Sequence, residues 1–164
     1  MKSSIIKTGT MFAGFLLAAC LSTHAEVKLP AIFSDGMVMQ QQTNANLWGT
    51  ATPHKKVTVT TSWNRKQYAA TADKNGAWKL IVATPKAGGP YTVTFDDGTQ
   101  KTLNNILIGE LWLCSGQSNM EMPMKGFKNQ PVENANMDIL HSKNPQIRLF
   151  TVKRTSTFLS LIHI

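Results

Sequence analysis

The residues with the clearest potential for chemistry form one short polar segment that follows an apolar run at 106–114. This segment contains Gly116, Gln117, Ser118 and Asn119. The run has the length and composition of a buried strand, and Gly116 lets the backbone turn sharply at its end. A serine presented there lies where open α/β folds bind their ligands, and backbone N–H groups after the turn can stabilise an oxyanion. Ser118 is therefore a candidate nucleophile. An ordinary polar turn is the alternative, because the Gly-x-Ser pattern is common.

The elements that precede this segment have the pattern of an all-β domain over residues 26–105. Short stretches rich in β-branched and aromatic residues are separated by turn residues at regular intervals, which is typical of an antiparallel sandwich. The predicted strands are 57–63, 67–72, 77–82 and 91–95, with turns at 73–76 and 96–98 and a loop at 85–90.

The elements after the serine have a different character. The pattern predicts a strand at Glu110–Cys114, in a different sheet from the sandwich, followed by a loop. A short helix is predicted over 132–141 and a second strand over 147–152. Strand, helix, strand is the beginning of a doubly wound α/β domain. The predicted fold class is therefore mixed: an N-terminal all-β antiparallel sandwich, followed by the start of an α/β domain.

Three blocks of sequence resemble one enzyme family. The block G-E-L-W-L-C-S-G-Q-S-N-M-E-M-P-M at 109–124 resembles the nucleophile block of SGNH-type hydrolases, and in particular the sialate O-acetylesterase family of carbohydrate esterases. Residues 27–40 resemble the family's opening segment, and residues 144–150 resemble the strand after its first helix.

The resemblance implies the chemistry of the site. It makes Ser118 the nucleophile and a backbone oxyanion donor, with Gly116, Gln117 and Asn119 fixing the turn or lining the site. The implied substrate is an acetylated carbohydrate, such as sialic acid or a related glycan. The implied mechanism uses no metal and no cofactor.

The chain begins with the layout of a secretory signal, in which Lys2 and Lys7 precede an apolar stretch at 11–21. That stretch is too short to be a transmembrane helix. Cleavage after residue 25 would give a mature protein starting at Glu26. Alternatively, a lipobox at 17–20 would lipidate Cys20 and anchor the protein to a membrane. A lipid anchor usually needs a polar tether before the folded domain, and the family-like segment begins at residue 27, which leaves almost none. Secretion or export to the periplasm is therefore the favoured prediction.

The chain ends with Leu-Ser-Leu-Ile-His-Ile at 159–164, which resembles the translated end of a sequencing-library adaptor. The alternative is a natural apolar terminus. The family resemblance places the catalytic His and Asp far downstream, so we expect this chain to hold a truncated hydrolase domain at 106–158. His141 lies outside the family's D-x-x-H setting and is not assigned as the base.

Composition excludes some functions. The formal net charge is +8, but the cations are scattered without a basic, aromatic-rich stripe, which argues against nucleic-acid binding.

Cys114 is predicted to be a small hydrophobic residue inside the sheet. The tryptophans at 48, 63 and 78 are predicted to pack in sheet faces. An exposed row of them would instead favour the alternative function, a secreted carbohydrate-binding sandwich without catalysis.

Overall fold

The computed structural model describes residues 26–152, which are mostly β-strand with two short helices. The predicted signal segment 1–25, with the lipidation alternative at Cys20, lies outside the described residues, as does the predicted adaptor segment 159–164. The prediction of a mainly β N-terminal region is confirmed. The elements are β1 (Val38–Gln40), β2 (Asn44–Thr50), β3 (Lys56–Thr61), β4 (Gln67–Thr71), β5 (Ala77–Ala83), β6 (Gly88–Asp96), β7 (Gln100–Gly109), α1 (Ser118–Glu121) and α2 (Ala135–His141).

The strands form two sheets. The larger sheet has the order β1-β7-β6-β3-β4, and the smaller sheet pairs β2 with β5. All pairs are antiparallel except β1 and β7, which run parallel with Gln40 opposite Gly109. The sequence predicted antiparallel pairing only, because three residues are too few to show a strand pattern. Since β1 and β7 are parallel, their carboxyl ends lie together, and the residues that follow them leave from the same end of the sheet.

One hydrophobic cluster contains residues of both sheets. Strand β5 alternates strictly, so that Trp78, Leu80 and Val82 are buried and their neighbours are exposed. From the larger sheet, Val93 and Phe95 are fully buried, and the ring of Phe95 lies 6.0 Å from that of Trp78. Burying a side chain of this size contributes about 1.5–3 kcal/mol. This cluster holds β1 and β7 in place.

Strand β7 contains a bulge, which changes the direction of its side chains. Leu103 pairs with Val93 and Ile106 pairs with Tyr91, so β7 has one more residue than β6 in this interval. Asn105 takes up the extra residue in the left-handed region, with φ 57°. As a result Leu103 and Ile106 are both buried although they are three positions apart.

The apolar run at 106–114 is not a single strand. Its first four residues belong to β7 and pair with β1 and β6, within the larger sheet. Glu110–Cys114, predicted to be a strand of a separate sheet, has no regular secondary structure. Within residues 26–152 no neighbouring strand supplies partners for this backbone, so Leu111 and Leu113 remain 59% and 91% exposed.

The last described segment also differs from its prediction. Helix α2 begins at Ala135 rather than at 132, because Asn134 adopts left-handed geometry with φ 57°. Ala135 is buried, whereas Ile139 and Leu140, which were expected on the same apolar face, are exposed. The predicted strand 147–152 is absent, and these residues form no ladder with any strand of the described part.

Candidate active site

Ser118 is the first residue of α1 and its side chain is exposed. It makes no side-chain hydrogen bond to any other residue in 26–152. At the first position of a helix, a backbone N–H group has no helical acceptor, so the N–H of Ser118 is not used within α1. The structure thus presents a hydroxyl and a backbone donor on the same residue, although α1 is only four residues long.

The other predicted site residues surround this turn. Gly116, Gln117 and Asn119 are all exposed. Gln117 precedes the helix with φ −112° and ψ −134°, and its carbonyl accepts a hydrogen bond from the Met120 N–H at 3.0 Å. A Cβ atom at Gly116 would lie 2.8 Å from Met120 Cγ, so a larger residue there would displace that side chain. The structure therefore brings the four residues together in one turn, and their roles stay predictions.

No histidine is hydrogen-bonded to Ser118 in the described part of the chain. The histidines in 26–152 are His54, in the turn before β3, and His141, at the end of α2. Both are exposed, and neither is hydrogen-bonded to Ser118. Within the same residues, His, Cys, Asp and Glu side chains form no group of three or more that could hold a metal ion.

A polar junction lies at the carboxyl ends of β1 and β7. It is made of Gln40, Gln41 and Glu110. Gln40 Nε2 donates to Glu110 Oε2 at 2.9 Å, and Gln41 Nε2 donates to Glu110 Oε1 at 2.6 Å. The Leu111 N–H donates back to Gln40 Oε1 at 2.8 Å. The hydrogen bonds from Gln40 and then Gln41 hold the pKa of Glu110 below its usual value of 4.5. Sequence reasoning missed this junction, because its residues are far apart in the chain and carry no motif.

A second connection joins the opening segment to the last described segment. Arg148 Nη1 donates to the Gly36 carbonyl at 2.8 Å, and Nη2 donates to Asn105 Oδ1 at 3.2 Å. Asp35 Oδ1 accepts the Asn104 N–H at 2.7 Å beside the same bulge. The three sequence blocks that resemble one family, 27–40, 109–124 and 144–150, are therefore connected to one another through β1 and β7.

Cys114 and the three tryptophans differ in exposure. Cys114 is exposed, so its predicted position inside a sheet was wrong, for the same reason that the strand 110–114 is absent. Trp78 is buried, and Trp63 is half-buried with its Nε1 donating to the Ala83 carbonyl at 3.0 Å. Trp48 is 42% exposed and packs edge-on against Phe33 at 4.6 Å. The three indoles therefore do not form an exposed row.

The segment after β7 leaves much apolar surface uncovered. Leu111, Trp112 and Leu113 are followed by further large hydrophobic side chains that are more than one-third exposed. These are Met120, Met122, Met124, Phe127, Met137, Ile139, Leu140, Ile147, Leu149, Phe150 and Val152. Soluble monomers rarely expose apolar side chains in such density, so this surface is suited to packing against other protein. No helix in residues 26–152 is long and apolar enough to cross a membrane.

Comparison with known proteins finds similarity to carbohydrate acetylesterases. A solved carbohydrate acetylesterase from Xanthomonas citri superposes with a TM-score of 0.57 at 33% identity, over 60% of this chain and 23% of that chain. Among curated proteins, the chain is similar to the sialate O-acetylesterase of Mus musculus, with 32% identity over 162 residues, and to that of Pongo abelii, with 29% over 150. These matches cover 90% and 85% of this chain.

The resemblance to sialate O-acetylesterases predicted from the sequence is confirmed by these matches. The chain spans less than a third of the relatives' length, 29% of the mouse protein and 28% of the Pongo abelii protein. No protein-family profile matches the chain.

Proposed function

We propose that this chain is the N-terminal part of a secreted serine esterase that removes O-acetyl groups from sialic acid or related acetylated glycans. In this proposal the described residues comprise a β-sandwich, antiparallel except for the pair β1 and β7, and the start of an SGNH-type hydrolase domain. The single observation that carries the proposal is the meeting of the three family-like blocks around β1 and β7, with Ser118 exposed beyond them. The relatives, which are named for acetyl ester hydrolysis, support the same chemistry.

In the proposed mechanism, Ser118 Oγ attacks the carbonyl carbon of the acetyl ester while a histidine outside the described residues takes its proton. The backbone N–H of Ser118 stabilises the oxyanion that forms on the carbonyl oxygen. Collapse of this intermediate breaks the bond to the sugar oxygen, which leaves protonated, and water then hydrolyses the acetyl-serine. Gly116, Gln117 and Asn119 keep the turn in shape and line the site.

The test of this proposal is ester hydrolysis by a clone of the full-length gene. Ser118→Ala removes the nucleophile and is expected to reduce release of p-nitrophenol from p-nitrophenyl acetate by about a thousandfold or more. Ser115→Ala, an exposed serine in the same segment, is the matched control and should retain activity. Acetylated sialic acid and acetylated xylan then distinguish the glycan substrates. Equal activity of the Ser118 variant and the wild-type protein would refute the proposal.

Export from the cytoplasm is a separate part of the proposal, supported by Lys2, Lys7 and the apolar stretch at 11–21. We expect a mature N-terminus at Glu26, which intact-mass measurement of the processed protein would detect. A diacylglyceryl group on Cys20 would instead establish a membrane-anchored lipoprotein.

A further inference from the structure

The polar junction of Gln40, Gln41 and Glu110 is placed where the segment carrying Ser118 leaves the sheet. Gln40 ends β1, and Glu110 directly follows β7. Within residues 110–117, the hydrogen bonds to the sheets are made by Glu110 and Leu111 alone. The hydrogen bonds between this stretch and the sheets are therefore concentrated at the junction.

The orientation of each glutamine amide is fixed, because its nitrogen and its oxygen are both hydrogen-bonded. Gln40 Oε1 accepts the Leu111 N–H, and Gln41 Oε1 accepts the Ala87 N–H at 2.9 Å. Since the amide oxygens face backbone donors, the amide nitrogens must face Glu110. Only a side chain with two acceptor oxygens satisfies both of them, which a carboxylate does and an amide does not.

We propose that Glu110, held by Gln40 and Gln41, is a positioning residue that fixes the path of the segment carrying Ser118. The residue itself does not touch the substrate, and its effect on hydrolysis reaches the site through the backbone of 111–117. The catalytic part of this inference rests on the proposed function, whereas the conformational part does not.

A swap of the two side chains tests the inference in the 164-residue chain. Glu110→Gln alone places an amide nitrogen against that of Gln40 or Gln41, and Gln40→Glu alone places two carboxylates together. The double variant restores the pattern: Glu at 40 accepts from the Leu111 N–H and from the Nε2 of Gln at 110, whose Oε1 accepts from Gln41. The double variant also keeps the net charge of the wild-type protein.

Amide hydrogen exchange is the first measurement. We expect each single variant to speed exchange at Leu111 by about fivefold to tenfold, as loss of one or two hydrogen bonds allows, and the double variant to restore it. Exchange in β5 and β6 should change little, which shows that the variants still fold. Glu26→Gln makes the same chemical change at the exposed Lys101–Glu26 ion pair, 3.2 Å long, and should leave Leu111 unaffected. Unchanged exchange in Glu110→Gln, or a double variant as fast as the singles, would overturn the inference.

Hydrolysis by the full-length clone is the second measurement. Each single variant should lower kcat about tenfold with little change in KM, and the double variant should recover most of the loss. If the clone has no Ser118-dependent hydrolysis, the proposed function fails while the exchange results still decide the positioning role. Normal kcat in the single variants, together with altered exchange, would show that the path of 111–117 has no role in catalysis.

Discussion

Glu110 is exposed, yet both of its carboxylate oxygens are hydrogen-bonded, by Gln40 and by Gln41. These bonds favour the ionised form, which is why the pKa of Glu110 lies below its ordinary value of 4.5. An isolated sequence does not reveal such a bond, because the partners are 69 and 70 positions away. By contrast, the local turn around Ser118 was predictable, since Gly116 and the polar residues beside it are consecutive.

Acid should therefore weaken the junction. The folded-state pKa of Glu110 is lower than the unfolded value, so its contribution to stability is fully present above about pH 4.5 and is lost as the pH falls through the folded pKa. We expect the thermal midpoint of the wild-type chain to fall more steeply with acid than that of Glu110→Gln. Midpoints measured between pH 6 and pH 3 check this, with Glu26→Gln as the control. Parallel curves for the wild type and Glu110→Gln would contradict it.

At the scale of elements, the strands with strict alternation were predicted closely. The predicted strand 77–82 agrees with β5, whose burial alternates strictly although Ile81 interrupts the alternation in the sequence. The turn before β5 contains Asp73, whose carboxylate accepts the N–H groups of Asn75 and Ala77. The bulge at Asn105 and the parallel partner β1 were not predicted, because both depend on pairing with distant residues. Residues 110–114 were predicted wrongly because an apolar run indicates burial without indicating what covers it.

The connection made by Arg148 leads to a prediction about the segment 144–150. Arg148→Lys replaces a planar fork by a single nitrogen, so the bonds to Gly36 and Asn105 cannot both be kept. We expect the free energy of unfolding to fall by about 1 kcal/mol and exchange in 144–150 to become faster. Urea unfolding and hydrogen exchange measure these effects. Arg65→Lys, in the exposed turn before β4, is the matched control, and an equal effect of the two variants would contradict the role of Arg148.

Gly36 offers an independent test of the same contact. It has φ 77°, and a Cβ atom there would lie 2.8 Å from Arg148 Nη1. Gly36→Ala should therefore destabilise the protein by about 1–2 kcal/mol, through both backbone strain and the displaced guanidinium. In the Arg148→Lys background only the backbone part should remain, so the two effects should be less than additive in urea unfolding. Full additivity would show that Gly36 and Arg148 act separately.

At the scale of the whole molecule, residues 26–152 combine a buried β core with a C-terminal segment that buries little apolar surface. We expect the β region to fold by itself, because its strands pair with one another and share this core. The segment 110–152 contains Ser118, but the described residues give it neither a hydrogen-bonded histidine nor a covering layer.

We therefore expect residues 26–158, expressed alone, to have essentially no esterase activity. A serine hydroxyl is a weak nucleophile without an adjacent base. The exposed apolar side chains should also make the fragment bind hydrophobic dyes. Assays on an aryl acetate and on acetylated sialic acid, beside the full-length protein, measure the activity. Ser118-dependent turnover comparable to the full-length protein would show that a residue such as His141 supplies the base.

The parallel pairing of Val38–Gln40 with Leu107–Gly109 also orders events during synthesis. As the ribosome extends the chain, β1 emerges early but has no partner until nearly the whole β region has followed it. Pairings between distant residues of this kind form late, because a long loop must close first. The Ser118 turn follows β7 in the chain, so it emerges only after the last strand of this scaffold.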